Sequence, residues 1–210
     1  RRSGVVVEIT SQPSKHNKPT GIVTEVLGDH LEVGMEVEIA VRSHDLPFEW
    51  PDEVLEQVDR MADRVSASDK RNRRDLRELQ FVTIDGEDAK DFDDAVYCEK
   101  KSSGGWRLYV AIADVSHYVL PGSTLDLEAF KRGTSVYFPR TVIPMLPEKL
   151  SNGLCSLRPD VDRLALVCEM TITARGKISG YQFYEGVIRS KARLTYTLVG
   201  QLLEEGKKGK

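Results

Sequence analysis

The residues best suited to chemistry lie in one acidic segment, Asp85–Asp94. Its ten residues contain six carboxylates and a single lysine, so the local charge is −5. Carboxylates crowded in this way raise one another's pKa, and the crowding is costly unless cations neutralise it. Aspartate oxygens are also the ligands that hard divalent cations such as Mg²⁺ and Mn²⁺ prefer. The segment therefore predicts a metal site that could support phosphoryl-transfer chemistry.

Two other interpretations of an acidic segment have to be considered. An EF-hand loop needs glycine at the sixth position, and the sequence has none there when counted from either Asp85 or Asp91. A solvated acidic turn is compatible with the composition alone. The predicted strands Phe81–Ile84 and Ala95–Tyr97 bracket the segment, however, and Phe92 lies inside it. This arrangement favours a loop that is held against an apolar core.

The elements around this loop predict an α+β fold with a mixed, largely antiparallel sheet and flanking helices. Alternating and β-branched runs predict strands, and the turn residues Ser102–Gly105 predict a hairpin. Ser123 and Asp126 resemble a capping box at the start of a short helix. The predicted strands are Phe81–Ile84, Asp94–Lys100, Trp106–Val115, Leu164–Thr173 and Lys177–Ile188, followed by an amphipathic helix over Thr195–Leu203.

Residues 1–47 predict a separate β-structured segment. Three runs, Val5–Ile9, Gly21–Leu27 and Glu36–Val41, alternate apolar and polar residues or are β-branched, and turn-rich segments separate them. Three short strands cannot close a barrel by themselves. We therefore expect them to complete a barrel that begins upstream or to pack on the next domain.

Residues 48–80 predict a helical, charged linker before the body at 81–210. The helix would start with Pro51 and would bury one face, formed by Val54, Leu55, Val58, Met61, Ala62 and Val65. The following stretch, Lys70–Arg77, carries a net charge of +4. Such a run is either a solvated surface or a contact for phosphate groups, and the sequence alone leaves both open.

The whole-chain composition excludes several classes of protein. The 210 residues are 40% hydrophobic, which argues against disorder, and no run approaches the roughly 18 apolar residues of a membrane span. Cys98, Cys155 and Cys168 form no CxxC pair, so we expect reduced thiols in a cytoplasmic protein. No signal peptide is visible, and the absence of an initiator methionine suggests a piece of a longer protein. Nothing in the sequence indicates an organic cofactor.

The acidic segment also carries a resemblance to a known family. Thr83–Asp85 and Asp91–Ala95 resemble the signature of the catalytic domain of the ribonuclease II superfamily, the RNB domain. The residues before Pro47 resemble the end of a second cold-shock domain of the OB type, which precedes the catalytic domain in that family. Further stretches that strengthen the resemblance are Val110–Ser116, Arg132–Pro139, Ile143–Pro147 and Leu150–Leu157.

This resemblance implies processive hydrolysis of single-stranded RNA from the 3′ end by a two-metal mechanism, releasing nucleoside 5′-monophosphates. The family's four motif aspartates fall on Asp85, Asp91, Asp93 and Asp94, which would hold Mg²⁺, or alternatively Mn²⁺, and the attacking water. Among them Asp93 is the residue whose loss we expect to impair the chemistry most. The family's aromatic clamp for the terminal nucleotides falls on Tyr137, which would otherwise be interpreted as a core aromatic.

The family's catalytic domain is longer than the part matched here, so residues 81–210 would correspond to its N-terminal half. An arginine and further RNA-binding elements of the family would lie beyond Lys210. We therefore expect little or no ribonuclease activity from the 210 residues alone. Two other classes remain open at this point. They are a non-catalytic RNA-binding module that retains the fold and a cation-stabilised interaction domain without a role in nucleic-acid binding.

Overall fold

The computed structural model describes residues 3–29 and 34–208, which form two units. The first unit contains the chain up to Trp50 together with Thr134–Ile143, and the second contains Pro51–Gly133 and the chain from Pro144 onward. The strands are β1 (Ser3–Ser11), β2 (Thr20–Asp29), β3 (Arg74–Asp75), β4 (Val82–Asp85), β5 (Asp94–Lys100), β6 (Trp106–Ala113), β7 (Val136–Tyr137), β8 (Val142–Ile143), β9 (Arg163–Ile172), β10 (Ile178–Ile188) and β11 (Ala192–Thr195). The α-helices are α1 (Met35–Ser43), α2 (Asp52–Asp59), α3 (Thr124–Arg132) and α4 (Tyr196–Lys208), and Lys149–Leu154 forms a π-helical turn.

In the first unit, β1 and β2 form an antiparallel hairpin, and β7 and β8 form a second, very short one. The prediction of strands at Val5–Ile9 and Gly21–Leu27 is confirmed. Both strands of the long hairpin leave apolar side chains open to solvent, as expected when two strands have no further partner to complete a barrel. These exposed side chains are Val5, Val7, Ile9, Ile22, Val23 and Val26.

The prediction of a third strand at Glu36–Val41 is wrong, because these residues lie in α1. The alternation of apolar and acidic residues suggested a strand, but Val41 is the one apolar side chain of the run that is buried, and Ile39 is exposed. The amides of Val37 and Glu38 both donate to the carbonyl of Gly34 and start the helix. An ion pair between Glu38 and Arg42, one helical turn apart, supports it further.

The second unit is built on one mixed, seven-stranded sheet in the order β11-β4-β5-β6-β9-β10-β3. The four central pairings, from β4 to β10, are antiparallel, whereas the outer strands β11 and β3 pair in parallel. This confirms the predicted fold class. The predicted hairpin at Ser102–Gly105 is also confirmed and joins β5 to β6, with Lys100 opposite Trp106.

Helices α2 and α3 are linked through one glutamine. The side-chain oxygen of Gln57 accepts hydrogen bonds from the Thr124 hydroxyl (2.6 Å) and the Leu125 amide (3.1 Å). As predicted, Ser123 caps α3 by accepting from the amide of Asp126. The predicted helix from Pro51 is confirmed at its start but ends at Asp59, before the last three predicted apolar positions.

The basic stretch Lys70–Arg77 is neither a solvated linker nor a free phosphate-binding surface. Four of its five cations form ion pairs with acidic residues, and the most buried of these joins Arg73 to Asp114 at 2.6 Å. The stretch therefore attaches to the sheet through its charges. The other pairs are Lys70 with Asp162, Arg74 with Glu169, and Arg77 with Asp75 and Asp162.

The last helix, α4, includes the predicted amphipathic segment. Its side chains Leu198, Leu202 and Leu203 are largely exposed in this structure. Within residues 3–29 and 34–208, no helix has both the length and the apolar character required to cross a membrane.

Candidate active site

The acidic segment forms the connection between β4 and β5. Asp85 is the last residue of β4 and Asp94 is the first of β5, and the two strands are antiparallel neighbours. The end of one strand and the start of the next therefore lie at the same edge of the sheet. Between them the chain makes a turn, in which the amide of Ala89 donates to the carbonyl of Gly86.

The structure brings the four aspartates selected from the sequence into one electrostatic cluster. Partial burial and the charges of Asp94 and Asp91 raise the pKa of the Asp85 carboxyl. Partial burial, followed by the charges of Asp91, Asp94 and Asp85, likewise raises the pKa of Asp93. The Asp93 side chain is open to solvent, but the protein atoms around it still weaken its hydration. Mutual repulsion of this kind is what a bound cation would relieve.

One feature of Asp85 supports a cation at this position. Its Oδ2 atom is buried and has no hydrogen-bond partner within the described part of the chain. A buried carboxylate oxygen without a partner is costly, and a hard cation would satisfy it. In residues 3–29 and 34–208, no three acidic, histidine or cysteine side chains are arranged as a coordination shell. Metal ligation by the four aspartates therefore stays a prediction, and it would require their side chains to converge.

Ser156 holds the second half of the acidic loop. Its hydroxyl is fully buried, donates to the carbonyl of Lys90 at 2.8 Å and accepts from the amide of Phe92 at 3.1 Å. The amide of Leu157 donates to the carbonyl of Phe92 at 2.8 Å, and the Phe92 ring is itself buried. The loop is thus anchored through the residue that lies between Asp91 and Asp93.

We expect Ser156→Ala to lower the free energy of unfolding by about 1–3 kcal/mol, because it leaves the buried amide of Phe92 and the carbonyl of Lys90 without their partner. Urea unfolding with an unchanged m-value measures the loss. Ser103→Ala, in the exposed turn between β5 and β6, is the matched control and should stay within about 0.5 kcal/mol of the wild type. An equally small effect of Ser156→Ala would contradict this anchoring role.

Sequence analysis did not single out Ser156 or Arg193. Ser156 lies 64 residues after its partner Phe92, although it falls within the stretch Leu150–Leu157 that contributed to the family resemblance. Arg193 on β11 donates from Nη2 to the carbonyls of Gly86, at 2.8 Å, and Glu87, more than 100 residues earlier. Arg193 could have been identified if Ala192–Thr195 had been predicted as a strand that pairs with the strand before the acidic loop.

The structure places Tyr137 in the first unit, in the short strand β7. Its side chain is 65% exposed, so the interpretation as a core aromatic is wrong. An exposed ring is available for stacking on a nucleobase, as the family resemblance implies. Its role in RNA binding stays a prediction.

Comparison with family models gives two matches. The model described as RNB domain matches residues 73–210, and the model described as cold shock domain matches residues 2–51. The first match contains the acidic loop, Ser156 and Arg193.

Three relatives illustrate the similarity. Ribonuclease R of Escherichia coli is 60% identical over 200 residues, which are 95% of this chain and 25% of the relative. RNase R of Mycoplasma genitalium, solved with double-stranded RNA and with ribose-methylated single-stranded RNA, is 34% identical. These two structures give TM-scores of 0.89 and 0.88 over 97% of this chain and 36% and 32% of theirs. Yeast Ssd1, described as a pseudonuclease, shares the fold at 21% identity, with a TM-score of 0.72 over 94% of this chain and 25% of its own.

The chain thus spans about a quarter of the length of the Escherichia coli relative. The RNB match nevertheless covers well over half of the chain and includes the whole seven-stranded sheet. On this ground the chain belongs to the RNB-domain family.

Proposed function

We propose that this chain forms the metal-binding part of a cytoplasmic, processive 3′→5′ exoribonuclease that hydrolyses single-stranded RNA to nucleoside 5′-monophosphates. The observation that carries the proposal is the electrostatic cluster of the acidic loop, in which partial burial and the charges of neighbouring carboxylates raise the pKa of Asp85 and Asp93. A protein that only binds RNA would gain nothing from presenting this much negative charge to a phosphate backbone.

Mg²⁺, or Mn²⁺ in its place, fits the residues present. The donor set consists of carboxylate oxygens, which suit hard cations, and Asp85 offers a buried oxygen without a partner. Asp85, Asp91, Asp93 and Asp94 would hold the metal. The chemistry that such ions supply when bound is activation of a water molecule and stabilisation of the leaving oxygen in a phosphodiester displacement.

The protein side chains supply charge and position. Asp93 is the residue to which we assign the attacking water, because it is open to solvent and the charges of the other three aspartates act on its carboxylate. The amide of Phe92 donates to Ser156, and this contact holds the main chain between Asp91 and Asp93 in place. Tyr137 would stack on a base near the 3′ end, which is worth about 1–3 kcal/mol per base and tolerates any sequence.

RNA as the partner is supported by the relatives. RNase R of Mycoplasma genitalium is described in complex with double-stranded RNA and with ribose-methylated single-stranded RNA. For this chain, a preference for single strands follows from exonucleolytic chemistry, in which one free end must reach the aspartates.

The second candidate is a non-catalytic RNA-binding module. The similarity to Ssd1, described as a pseudonuclease, favours considering it, because the fold alone does not decide activity. The residues of the acidic loop distinguish the enzyme from the non-catalytic module. The complete set of four aspartates in the acidic loop favours the enzyme.

A chimera tests the proposal. In it, this chain replaces the 200 matched residues of Escherichia coli Ribonuclease R. We expect 5′-labelled single-stranded RNA to shorten from its 3′ end and to release nucleoside 5′-monophosphates. EDTA should stop the reaction and Mg²⁺ or Mn²⁺ should restore it, because the carboxylates alone cannot activate water.

The 210-residue chain alone is the reference and should digest little or no RNA under the same conditions. Products with 3′-phosphates, or digestion by the chimera that EDTA leaves unchanged, would exclude the proposed mechanism. Vigorous metal-dependent digestion by the chain alone would refute its assignment as an incomplete catalytic body.

A further inference from the structure

We infer that Arg193 is a positioning residue for the aspartate site, and that it holds the first half of the acidic loop by its main chain. Its importance for catalysis rests on the function proposed above, whereas its effect on the loop conformation does not. The hydrogen bonds of Arg193 go to main-chain carbonyls of the loop, so its role is to position the aspartates that the loop carries.

The contacts of Arg193 begin where β4 ends. Arg193 lies on β11 in parallel register with Thr83, two residues before Asp85. Its Nη2 atom donates to the carbonyl of Gly86 at 2.8 Å and also to the carbonyl of Glu87. One guanidinium nitrogen therefore binds the two residues that directly follow the first aspartate of the cluster.

A second contact of Arg193 lies in the other half of the loop, at the buried ring of Phe92. The guanidinium carbon also lies 5.5 Å from the centre of the Phe92 ring, a distance at which a cation and an aromatic face attract. Arg193 thus contacts the loop near both of its ends.

Arg193 and Ser156 together bracket the acidic loop. Ser156 binds Lys90 and Phe92, and Arg193 binds Gly86 and Glu87. The two anchors therefore fix the main chain directly after Asp85 and on both sides of Asp91.

A purely structural role explains Arg193 less well. Its Nε atom is buried and has no partner within the described part of the chain, which is costly for a guanidinium nitrogen. If Arg193 served stability alone, a side chain without a buried, unpaired donor atom would be more favourable at this position. A planar guanidinium that reaches two successive carbonyls while keeping its charge beside Asp85 explains why arginine is found here.

The test uses the 210-residue chain with Arg193→Gln, Arg193→Lys and the control Arg175→Gln in the exposed turn between β9 and β10. Arg175→Gln makes the same change in charge far from the loop in sequence. Hydrogen exchange followed by mass spectrometry reports on residues 86–91, and Mn²⁺ titration followed by electron paramagnetic resonance reports on the cluster. Circular dichroism verifies that each variant is folded.

We expect Arg193→Gln to accelerate amide exchange in residues 86–91 and to weaken Mn²⁺ binding by about 10-fold or more, the usual effect of losing an outer support of a metal site. Arg193→Lys should fall between the wild type and Arg193→Gln, because it keeps the charge but not the planar fork. Arg175→Gln should match the wild type. In the chimera, kcat should fall in Arg193→Gln with little change in KM.

The inference is overturned when a folded Arg193→Gln variant exchanges residues 86–91 and binds Mn²⁺ as the wild type does. This outcome leaves the proposed function intact if Asp93→Asn still abolishes hydrolysis. If the wild-type chain binds no Mn²⁺, the proposed metal site is contradicted. The hydrogen-exchange measurement then still decides whether Arg193 holds the loop. The two failures are therefore distinguishable.

Discussion

Asp93→Asn is expected to reduce RNA hydrolysis by the chimera by about 10²–10⁴-fold, the usual contribution of a group that positions or deprotonates an attacking water. Asparagine has nearly the same shape but is neutral and offers one acceptor oxygen in place of two. It therefore removes the ligand and acceptor function without leaving a cavity. Product release from labelled RNA under single-turnover conditions measures the chemical step, and RNA binding should persist because the repulsion of phosphate falls.

Asp88→Asn is the matched control for this prediction. Asp88 lies in the same loop and is exposed, and the substitution changes the charge by the same amount. Activity should stay close to that of the unmodified chimera. The metal-free Asp93→Asn variant should also melt at a higher temperature than the wild type, since it removes a carboxyl whose pKa is raised by partial burial and by the charges of Asp91, Asp94 and Asp85. Unchanged RNA turnover in Asp93→Asn would contradict the assignment of Asp93 as a catalytic residue.

Sequence analysis located the aspartate cluster because the signal was local. Apolar strands on both sides and Phe92 in the middle indicated a loop held against the core, and β4, β5 and the buried Phe92 confirm this. The supports of the loop were not predictable in the same way. Ser156 binds Phe92 across 64 residues of sequence, and Arg193 binds Gly86 across 107 residues. A pattern formed by neighbouring residues cannot predict such contacts.

Local patterns also misled at two places. The alternation in Glu36–Val41 suits a strand, but the i,i+4 pair Glu38–Arg42 and the turn at Gly34 made a helix. The basic stretch Lys70–Arg77 suggested solvent or phosphate because its partners lie up to 95 residues later in the chain. In the first case the deciding contacts are local but have helical spacing, and in the second case they are tertiary contacts with distant residues.

Arg73→Met is expected to lower the free energy of unfolding by about 3–5 kcal/mol, because it breaks the buried ion pair between Arg73 and Asp114. The exposed fractions of the two side chains are only 6% and 2%. Burial raises the pKa of Asp114, but hydrogen bonds from Ser116 and Arg73 outweigh it, so the pKa lies below its ordinary value. Without Arg73, the buried carboxylate keeps the hydrogen bond from Ser116 but loses its buried charged partner. Thermal unfolding at pH 7 should show a decrease in Tm of about 10 °C.

The pH dependence of this loss separates a charge effect from a packing effect. In the wild type, the stability contributed by Asp114 is present above its ordinary pKa and is lost as the pH falls through its lowered folded value. In Arg73→Met the hydrogen bond and charge of Arg73 no longer lower the folded pKa of Asp114, so the stabilising contribution of the Asp114 carboxylate is smaller than in the wild type at pH 7, and the two proteins converge toward pH 4. The difference from the wild type should therefore be smaller at pH 4 than at pH 7. Adding Asp114→Asn to Arg73→Met should recover part of the stability at pH 7 for the same reason.

Arg74→Met is the neighbouring control, because Arg74 pairs with Glu169 at the surface, with about half of its side chain exposed. Exposed pairs contribute about 0–1 kcal/mol, so this variant should unfold close to the wild type. An Arg73→Met variant that is no less stable than Arg74→Met would show that the pair is not buried as described. A loss in Arg73→Met that is constant from pH 4 to pH 7, and that Asp114→Asn does not relieve, would instead assign the effect to packing around the methionine. Only a loss that depends on the charge of Asp114 shows that this basic stretch is joined to the sheet by electrostatics.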